Sequence, residues 1–364
     1  MFQKLTLKSV TVRPLLLPLS RPVVARIGRF EQWPIIAIDL YTEEGVVGRS
    51  YLEPYVTSSM RAIVPVIEDL CNPRIGKPLV ALDDFQAMRK TLNFVGLEGI
   101  AMIAIAGIDM AIWDALAQAA GMPLAVMLGG SLAPVPAYNS NGLWLTDVNT
   151  LGREAAELVA EGGFKALKAR LGRERNADDI AAIGAIRKAV GEDVRLMVDF
   201  NQALPLGDAI ERCHALDHLG FTWFEEPIAY NNLAGYAQLT RELDTPVQLG
   251  ENFYGPRAMY EAVRAGAGDY FMPDLMRIGG VSGWLRSAPI AAAAGIQMST
   301  HLYPEFSAHL MRVTETAHWL EWQDWANPIL ARPFEVKDSF IYIPNVPGSG
   351  VEWNEPAMKK YRYA

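Results

Sequence analysis

The sequence predicts an α/β protein whose larger part is a (β/α)8-type TIM barrel. Two observations carry this. First, Asp199, Glu225, Glu251, Asp274, His301 and Glu321 follow one another at intervals of 26, 26, 23, 27 and 20 residues, and each closes a short apolar run: LMVDF, TWFEE, VQLGE, YFMPD, QMSTH and HWLE. A strand, a loop, a helix and a second loop take about that many residues, so each residue is expected at the C-terminal end of one parallel strand. Second, from VPAYNS onward β-like runs alternate with helical stretches such as DDIAAIGAIRKAV and LGDAIERCHALDHLG. In such a barrel the C-terminal strand ends converge on one face, where the active site lies.

Taken in order, residues 1 to about 50 read as strands. LTLKSVTVRPL alternates, and PIIAIDLYTEEGVVGRSYL reads as a hairpin turning at Glu44-Gly45. Residues 56–120 read as helices, ending in GIAMIAIAGIDMAIWDALAQAAG, with Gly121 as the stop. Strands followed by helices indicate a separate α+β capping domain. Barrel strands are expected near 135–139, 164–170, 194–200, 221–226, 246–251, 269–273, 296–300 and 317–321. The Pro/Gly-rich tail from about 330 is strand-like, too short for a domain, and is expected to pack back on the N-terminal part. The divisions are therefore 1–125 for the cap, 126–330 for the barrel and 331–364 for the returning segment.

The chain has 364 residues, enough for a barrel plus a second domain. Its formal charge of −8 argues against nucleic acid as a partner, since no basic stripe meets phosphate. Cys71 and Cys213 are far apart in unlike contexts, so neither a disulfide framework nor a thiolate metal site follows, and a cytoplasmic location fits. The N-terminus lacks the compact apolar block of a signal peptide. The uncharged stretch Ala115–Thr146 is broken by Gly121, Pro123, Gly129, Gly130, Pro134 and Pro136, so no membrane span is expected there.

Asp199, Glu225 and Glu251 would end three neighbouring strands. One such acid more often caps the next helix. Three together repel unless a cation sits between them, and all-oxygen ligation suits Mg2+. Lys168 and Arg170, two apart in KALKARL, share one face of strand two. If that face is the interior, both cations point at the metal; otherwise they are ordinary ion pairs. Asp274 beside His301 would fix the imidazole tautomer and raise its basicity, making a general base. Glu321 is a candidate proton donor or hydrogen-bond partner of substrate, Asn201 points the same way as Asp199, and Ser140 in NSNGLW is placed to reach a substrate oxygen. His214 and His218 read as surface residues of an outer helix. SRPVVARIGRFEQW is a candidate lid, and its Arg26, Arg29, Glu31 and Gln32 make it polar.

The chain resembles the enolase superfamily, and within it the mandelate racemase subgroup (the mandelate racemase/muconate lactonizing enzyme family). The likeness runs almost end to end through AIAGIDMAIWDAL, VDFNQ, WFEEP, VQLGEN, MPDLMRIGGVSGW, MSTHLYPEFSAHL and TAHWLEW. It implies Mg2+ on Asp199, Glu225 and Glu251, an Asp274–His301 dyad, Glu321 as hydrogen-bond donor to the substrate carboxylate, Ser140 as a substrate contact, and a cap that supplies specificity loops. The subgroup carries Lys-x-Lys on strand two, with the second lysine as base on the opposite face. Here the pair is Lys168-Ala169-Arg170, and a guanidinium holds its proton far more tightly than an ammonium.

Lys168 is expected to neutralise the carboxylate and His301 to take the α-proton of a 2-hydroxycarboxylate. With one competent base, loss of a β-hydroxyl follows, and the polar lid suits a hydroxylated or anionic small-molecule carboxylate. The expected activity is acid-sugar dehydration. The alternatives are racemisation or epimerisation of a 2-hydroxy acid, with Arg170 as an unusual base, and an inactive carboxylate-binding protein. A homo-oligomer is expected.

Overall fold

The structure, a computed structural model, describes residues 4–26 and 28–363. The strand expected over the first three residues, and Ile27 of the candidate lid, lie outside them. The chain opens with three antiparallel strands, β1 (Leu7–Ala25), β2 (Gly28–Thr42) and β3 (Val47–Leu52), in the order β1-β2-β3. The turn into β3 passes through Gly45, whose φ of 86° glycine adopts without strain. The helices α1 (Thr57–Cys71), α2 (Ala81–Leu92) and α3 (Ile100–Ala119) follow. α3 is apolar on nearly every side because the sheet covers one side and helices cover others. It is long and apolar enough to cross a membrane, yet 83% of that window is buried in the protein, as a core helix requires. Its approach to β3 is close. A Cβ on Gly48 would lie 2.1 Å from the Ala111 carbonyl oxygen, so only glycine fits there.

After the short α4 (Leu124–Met127), strands and helices alternate. They are β4 (Val135–Asn139), α5 (Val148–Ala160), β5 (Ala166–Arg170), α6 (Asn176–Val190), β6 (Arg195–Asp199), α7 (Leu206–Leu216), β7 (Phe224–Glu225), α8 (Leu233–Glu242), β8 (Val247–Leu249), α9 (Pro256–Ala265), β9 (Tyr270–Phe271), α10 (Leu275–Ile278), α11 (Gly280–Ala294), β10 (Gln297–Met298), α12 (Pro304–Met311) and β11 (Leu320–Trp322). All eight strands fall inside or within a residue of the expected stretches. β4 to β10 pair in sequence order, and β11 pairs in parallel with β4. Met298 N to Thr316 O and His318 N to Met298 O join β10 to the segment entering β11, so the barrel closes.

The tail divides its contacts. The hairpin β12 (Glu335–Lys337) and β13 (Phe340–Tyr342) joins the barrel, where β13 runs antiparallel to β4. Beyond it the chain returns to the cap: Trp353 Nε1 donates to Asp39 at 2.8 Å, and past α13 (Glu355–Lys360) Leu16 N donates to Tyr361 O at 2.9 Å. The tail, expected to pack back on the N-terminal part, thus also takes a place on the barrel. β4 has a free edge below its pairing with β5, and a strand hydrogen-bonds there.

Candidate active site

Alternation along the short strands separates two environments. Leu167, Ala169, Leu196 and Val198 point outward into the main core, whereas Tyr138, Ala166, Met197 and Trp223 form a separate cluster inside the barrel, with Tyr270 and Trp319 against it. That layer is the floor, and the next inward residues toward the C-terminal ends are charged.

Lys168, 1% exposed, lies among three acids: its Nζ is 2.5 Å from Glu225, 2.7 Å from Glu321 and 3.5 Å from Asp199. Burial opposes its charge, but those carboxylates hold its pKa above the ordinary lysine value. Glu225 turns its other oxygen to Trp223 Nε1 at 2.9 Å. Burial, with Asp199 and Glu321 nearby, raises Glu225 to about 8 even though Lys168 touches it. Glu321 goes the other way: against burial, Lys168, His301 and Arg170 bring it to about 2. Its oxygens accept from Ser140 Oγ at 2.8 Å and from Leu302 N at 3.1 Å, so in this arrangement it is an acceptor rather than the proton donor considered from sequence.

Asp274 and His301 meet as a parallel bridge between strand ends. Asp274 Oδ2 lies 2.7 Å from His301 Nδ1, while Oδ1 caps α10 by accepting from Met276 N at 2.8 Å and Arg277 N at 3.2 Å. A carboxylate fixed on one side by a helix N-terminus orients the ring and leaves Nε2 toward the site. Nε2 is 3.3 Å from Glu251. Burial would lower the imidazole pKa; Glu251, Glu321 and the Asp274 hydrogen bond outweigh it and raise it to about 9. The two residues after His301, Leu302 and Tyr303, have φ of 53° and 55°, a left-handed step that aims Leu302 N at Glu321.

Arg170 points inward, but its guanidinium is committed. Nη1 donates to the carbonyls of Ser140 at 3.0 Å and Gly142 at 3.1 Å, Nη2 donates to Ser140 Oγ at 2.8 Å, and the group stacks 3.8 Å from the centre of the Trp144 ring. Ser140 is fully buried between Arg170 and Glu321 and does not line the cavity. Asn201, with φ of 46°, places its N–H 2.7 Å and its Nδ2 3.0 Å from the two Asp199 oxygens while lining the cavity. His214 is an exposed residue 3.7 Å from Glu242.

Lys168, Asp199, Asn201, Glu251 and His301 open into one cavity of about 240 Å³. Its roof comes from the lid segment, which is the β1–β2 hairpin, and here the sequence expectation is corrected. Arg26, Arg29, Glu31 and Gln32 face solvent; Val23, Ala25, Phe30 and Trp33 face the cavity. Alternation sends Arg29 and Glu31 outward on either side of Phe30, and the register shift between Phe30 and Gln32 lets Gln32 face out beside Glu31 while Trp33 faces in. Trp33 is the hub of the roof, with ring centres 5.3 Å from Tyr55 and 4.3 Å from Trp325.

Comparison with known proteins bears on this geometry. Residues 8–129 match the N-terminal domain of the mandelate racemase/muconate lactonizing enzyme group, and residues 150–357 match the enolase C-terminal domain-like family. The chain belongs to the mandelate racemase/muconate lactonizing enzyme family of the enolase superfamily. L-talarate/galactarate dehydratase of Salmonella typhimurium is 33% identical over 265 residues, 73% of this chain and 67% of that protein. A crystal structure of an enolase from alpha pretobacterium bal199 with bound Mg superposes with a TM-score of 0.97 at 53% identity, covering 99% of this chain and 100% of that one. An enolase from Bradyrhizobium, complexed with magnesium and mandelic acid, superposes with a TM-score of 0.95 at 40% identity over 100% of both chains. The protein is an Mg-dependent enzyme of the family's dehydratase or racemase type, which sets aside the reading as an inactive carboxylate-binding protein.

In this family member the donor set fits such a cation, although the side chains do not converge on one. No group of three or more His, Cys, Asp or Glu stands close enough to hold a metal among the described residues, because Glu225 faces Lys168. The chemistry nevertheless suits a hard ion. Asp199, Glu225, Glu226, Glu251, Asp274 and Glu321 outnumber Lys168, Arg170 and Arg277, and like-charge repulsion raises both Glu225 and Glu226 once burial has acted. A divalent cation among oxygen donors relieves that repulsion.

The sequence reading missed three features. Arg277, in the quoted MPDLMRIGG run, donates to the Glu251 carbonyl at 3.0 Å, lies 3.3 Å from its carboxylate and packs 4.8 Å from the centre of the Tyr55 ring. Glu226 accepts from Gln202 at 2.6 Å behind Asp199. The aromatic roof is drawn from Phe30, Trp33, Tyr55, Trp144 and Trp325. For Arg277, its place three residues after the dyad aspartate was a usable signal. For the roof there was none, since its rings come from separate segments.

Proposed function

We propose that the enzyme removes the α-proton of a 2-hydroxycarboxylate with His301 as its single base and then expels a β-hydroxyl, as an acid-sugar dehydratase. The observation that carries this is the commitment of Arg170. Its guanidinium is bonded to Ser140 and Gly142 and stacked on Trp144, so the opposite face has a fixed cation and no proton acceptor. Asp199, Glu225 and Glu251 would hold Mg2+, which when bound supplies charge stabilisation at the substrate carboxylate. Lys168 adds a buried positive charge there. Glu321 donates to the substrate only after taking a proton, which the arrival of a second carboxylate favours. His301 Nε2 takes the α-proton and the electron pair moves into the carboxylate. The C3–O bond then breaks, the hydroxide leaves as water with the proton from His301, and the enol becomes a 2-keto-3-deoxy acid. Ser140 acts through Arg170 and Glu321, and Asn201 through Asp199.

A second reading is epimerisation of a 2-hydroxy acid with an aromatic or apolar far end. The aromatic roof favours it, as does the relative complexed with mandelic acid. Paired C2 epimers separate the two. The first reading expects keto acid from one epimer only and exchange of its α-proton in D2O, both lost in His301→Asn. Equal rates on both epimers would falsify the single-base reading.

The same proposal includes the divisions at 125 and 330, the first supported by the passage from α3 through α4 into β4 and the second by the end of the last barrel strand β11 at Trp322, and a cytoplasmic location, supported by two buried free cysteines. It also includes a homo-oligomer, supported by Phe94 and Val95, which are 103% and 80% exposed in the loop between α2 and α3.

A further inference from the structure

Glu53 is an acid in a place where an acid needs a reason. It follows β3, is 2% exposed, and sits in the seam between cap and barrel. Its Oε2 accepts a 2.6 Å hydrogen bond from Trp33 Nε1. Its backbone N–H donates to Tyr303 Oη at 2.9 Å, two residues past His301. The charged groups that reach it are Asp274 and Glu305, which oppose its ionisation, and His301, which favours it; burial dominates and raises the carboxyl to about 8. Glu305 is itself engaged by Tyr51 Oη at 2.5 Å. Among the described residues Glu53 forms no salt bridge, and its defined side-chain contact is the indole that roofs the cavity.

That indole is shared by the whole roof. Trp33 touches Phe30 and Tyr55 in the cap and Trp325 in the barrel, with ring centres 6.2, 5.3 and 4.3 Å away. A ring among other rings slides easily, because dispersion has no direction; a hydrogen bond to Nε1 does have one. We propose that Glu53 is a positioning residue: its carboxyl locks the Trp33 indole over the far end of the substrate, and so sets which far ends are held rather than how fast the α-proton moves. This rests on the reading of the cavity as the substrate site, and not on whether the product is a keto acid or an epimer.

Two Mg2+-dependent binding probes test it by calorimetry: mandelate, whose far end is an aromatic ring, and lactate, which keeps the carboxylate and hydroxyl but only a methyl. Glu53→Ala is expected to weaken mandelate about tenfold, the size of one buried hydrogen bond, and to leave lactate within about twofold. Glu53→Gln keeps an acceptor oxygen and is expected to hold both acids like the wild type. Glu53→Met fills the same volume with a poor acceptor and replaces the alanine variant should that one not fold. Equal loss for both acids, no loss for mandelate, or a glutamine variant as weak as alanine overturns the proposal. So does a wild type that binds lactate but not mandelate. Absence of lactate binding, or lactate binding indifferent to Lys168→Met, instead condemns the cavity as the carboxylate site, so the two failures are told apart.

Discussion

Arg170 and Asp274 show how little a residue type says until its partners are known. Both are buried charged residues at strand ends on the same side of the barrel. One has a guanidinium spent on carbonyls and on a tryptophan face. The other has one oxygen spent on the start of α10 and one aimed at an imidazole. The dyad gives a sharp expectation. Asp274→Asn keeps the shape but removes the charge that favours imidazolium, so His301 becomes a weaker base and kcat falls about a hundredfold or more. A base works when unprotonated, so activity rises with pH through its pKa. Lowering that pKa moves the rising limb of the profile to lower pH. An unmoved limb in the variant would assign the base elsewhere.

At the scale of elements, the barrel strands do their work with very little backbone. β7, β9 and β10 are two residues each, yet their ends carry Glu225, Asp274 and His301 to one face. The β1–β2 hairpin behaves differently. Its register shifts between Pro18 and Val23, and beyond that shift alternation turns its apolar side to the cavity and its charges to water. It is held on its flank by Arg21, whose guanidinium is 2.5 Å from Glu161 on the barrel. The loop between α2 and α3 presents Phe94 and Val95 with no cover from this chain. If that loop is the contact between copies, sedimentation velocity is expected to show an oligomer for the wild type and a smaller species for the pair Phe94→Ser and Val95→Ser. A wild-type monomer, or an unchanged assembly in the variant, removes that assignment.

For the molecule as a whole, buried titratable groups set how stability depends on pH. His309 is fully buried; its Nδ1 accepts from Ala125 N at 3.0 Å and its Nε2 donates to Ser349 O at 3.0 Å, which is the neutral form. Burial lowers it from 6.5 to about 4, against the help of Ser349. The unfolded chain therefore binds the extra proton first. Its contribution is complete above about pH 6.5 and is lost as pH falls toward 4, by about 3 kcal/mol at most. Glu305 and Asp109, raised by burial to about 7, act in the opposite sense, so the test is a difference between two proteins. The wild type's advantage over His309→Asn in urea is expected to shrink from pH 7 to pH 4. A constant gap would mean that the imidazole takes up its proton as readily in the fold as in the unfolded chain.

What the sequence determined by itself was whatever repeats along the chain. The beat of charged residues at the ends of apolar runs located six of the eight strands, because each βα unit must span the same layer thickness, and the alternation of β-like and helical runs supplied the first two. Period two put Lys168 and Arg170 on one face, because adjacent inward positions are set by the pleat. Tertiary structure decided what depends on contacts between distant segments. It turned Glu225 toward Lys168, closed Arg170 onto Ser140 and Trp144, sent the tail's hairpin to β4, and assembled a roof from Phe30, Trp33, Tyr55, Trp144 and Trp325. It also reversed the reading of the hairpin. A run of mixed residues names its composition, but which half of an alternating strand faces a cavity is chosen by the surface packed beneath it.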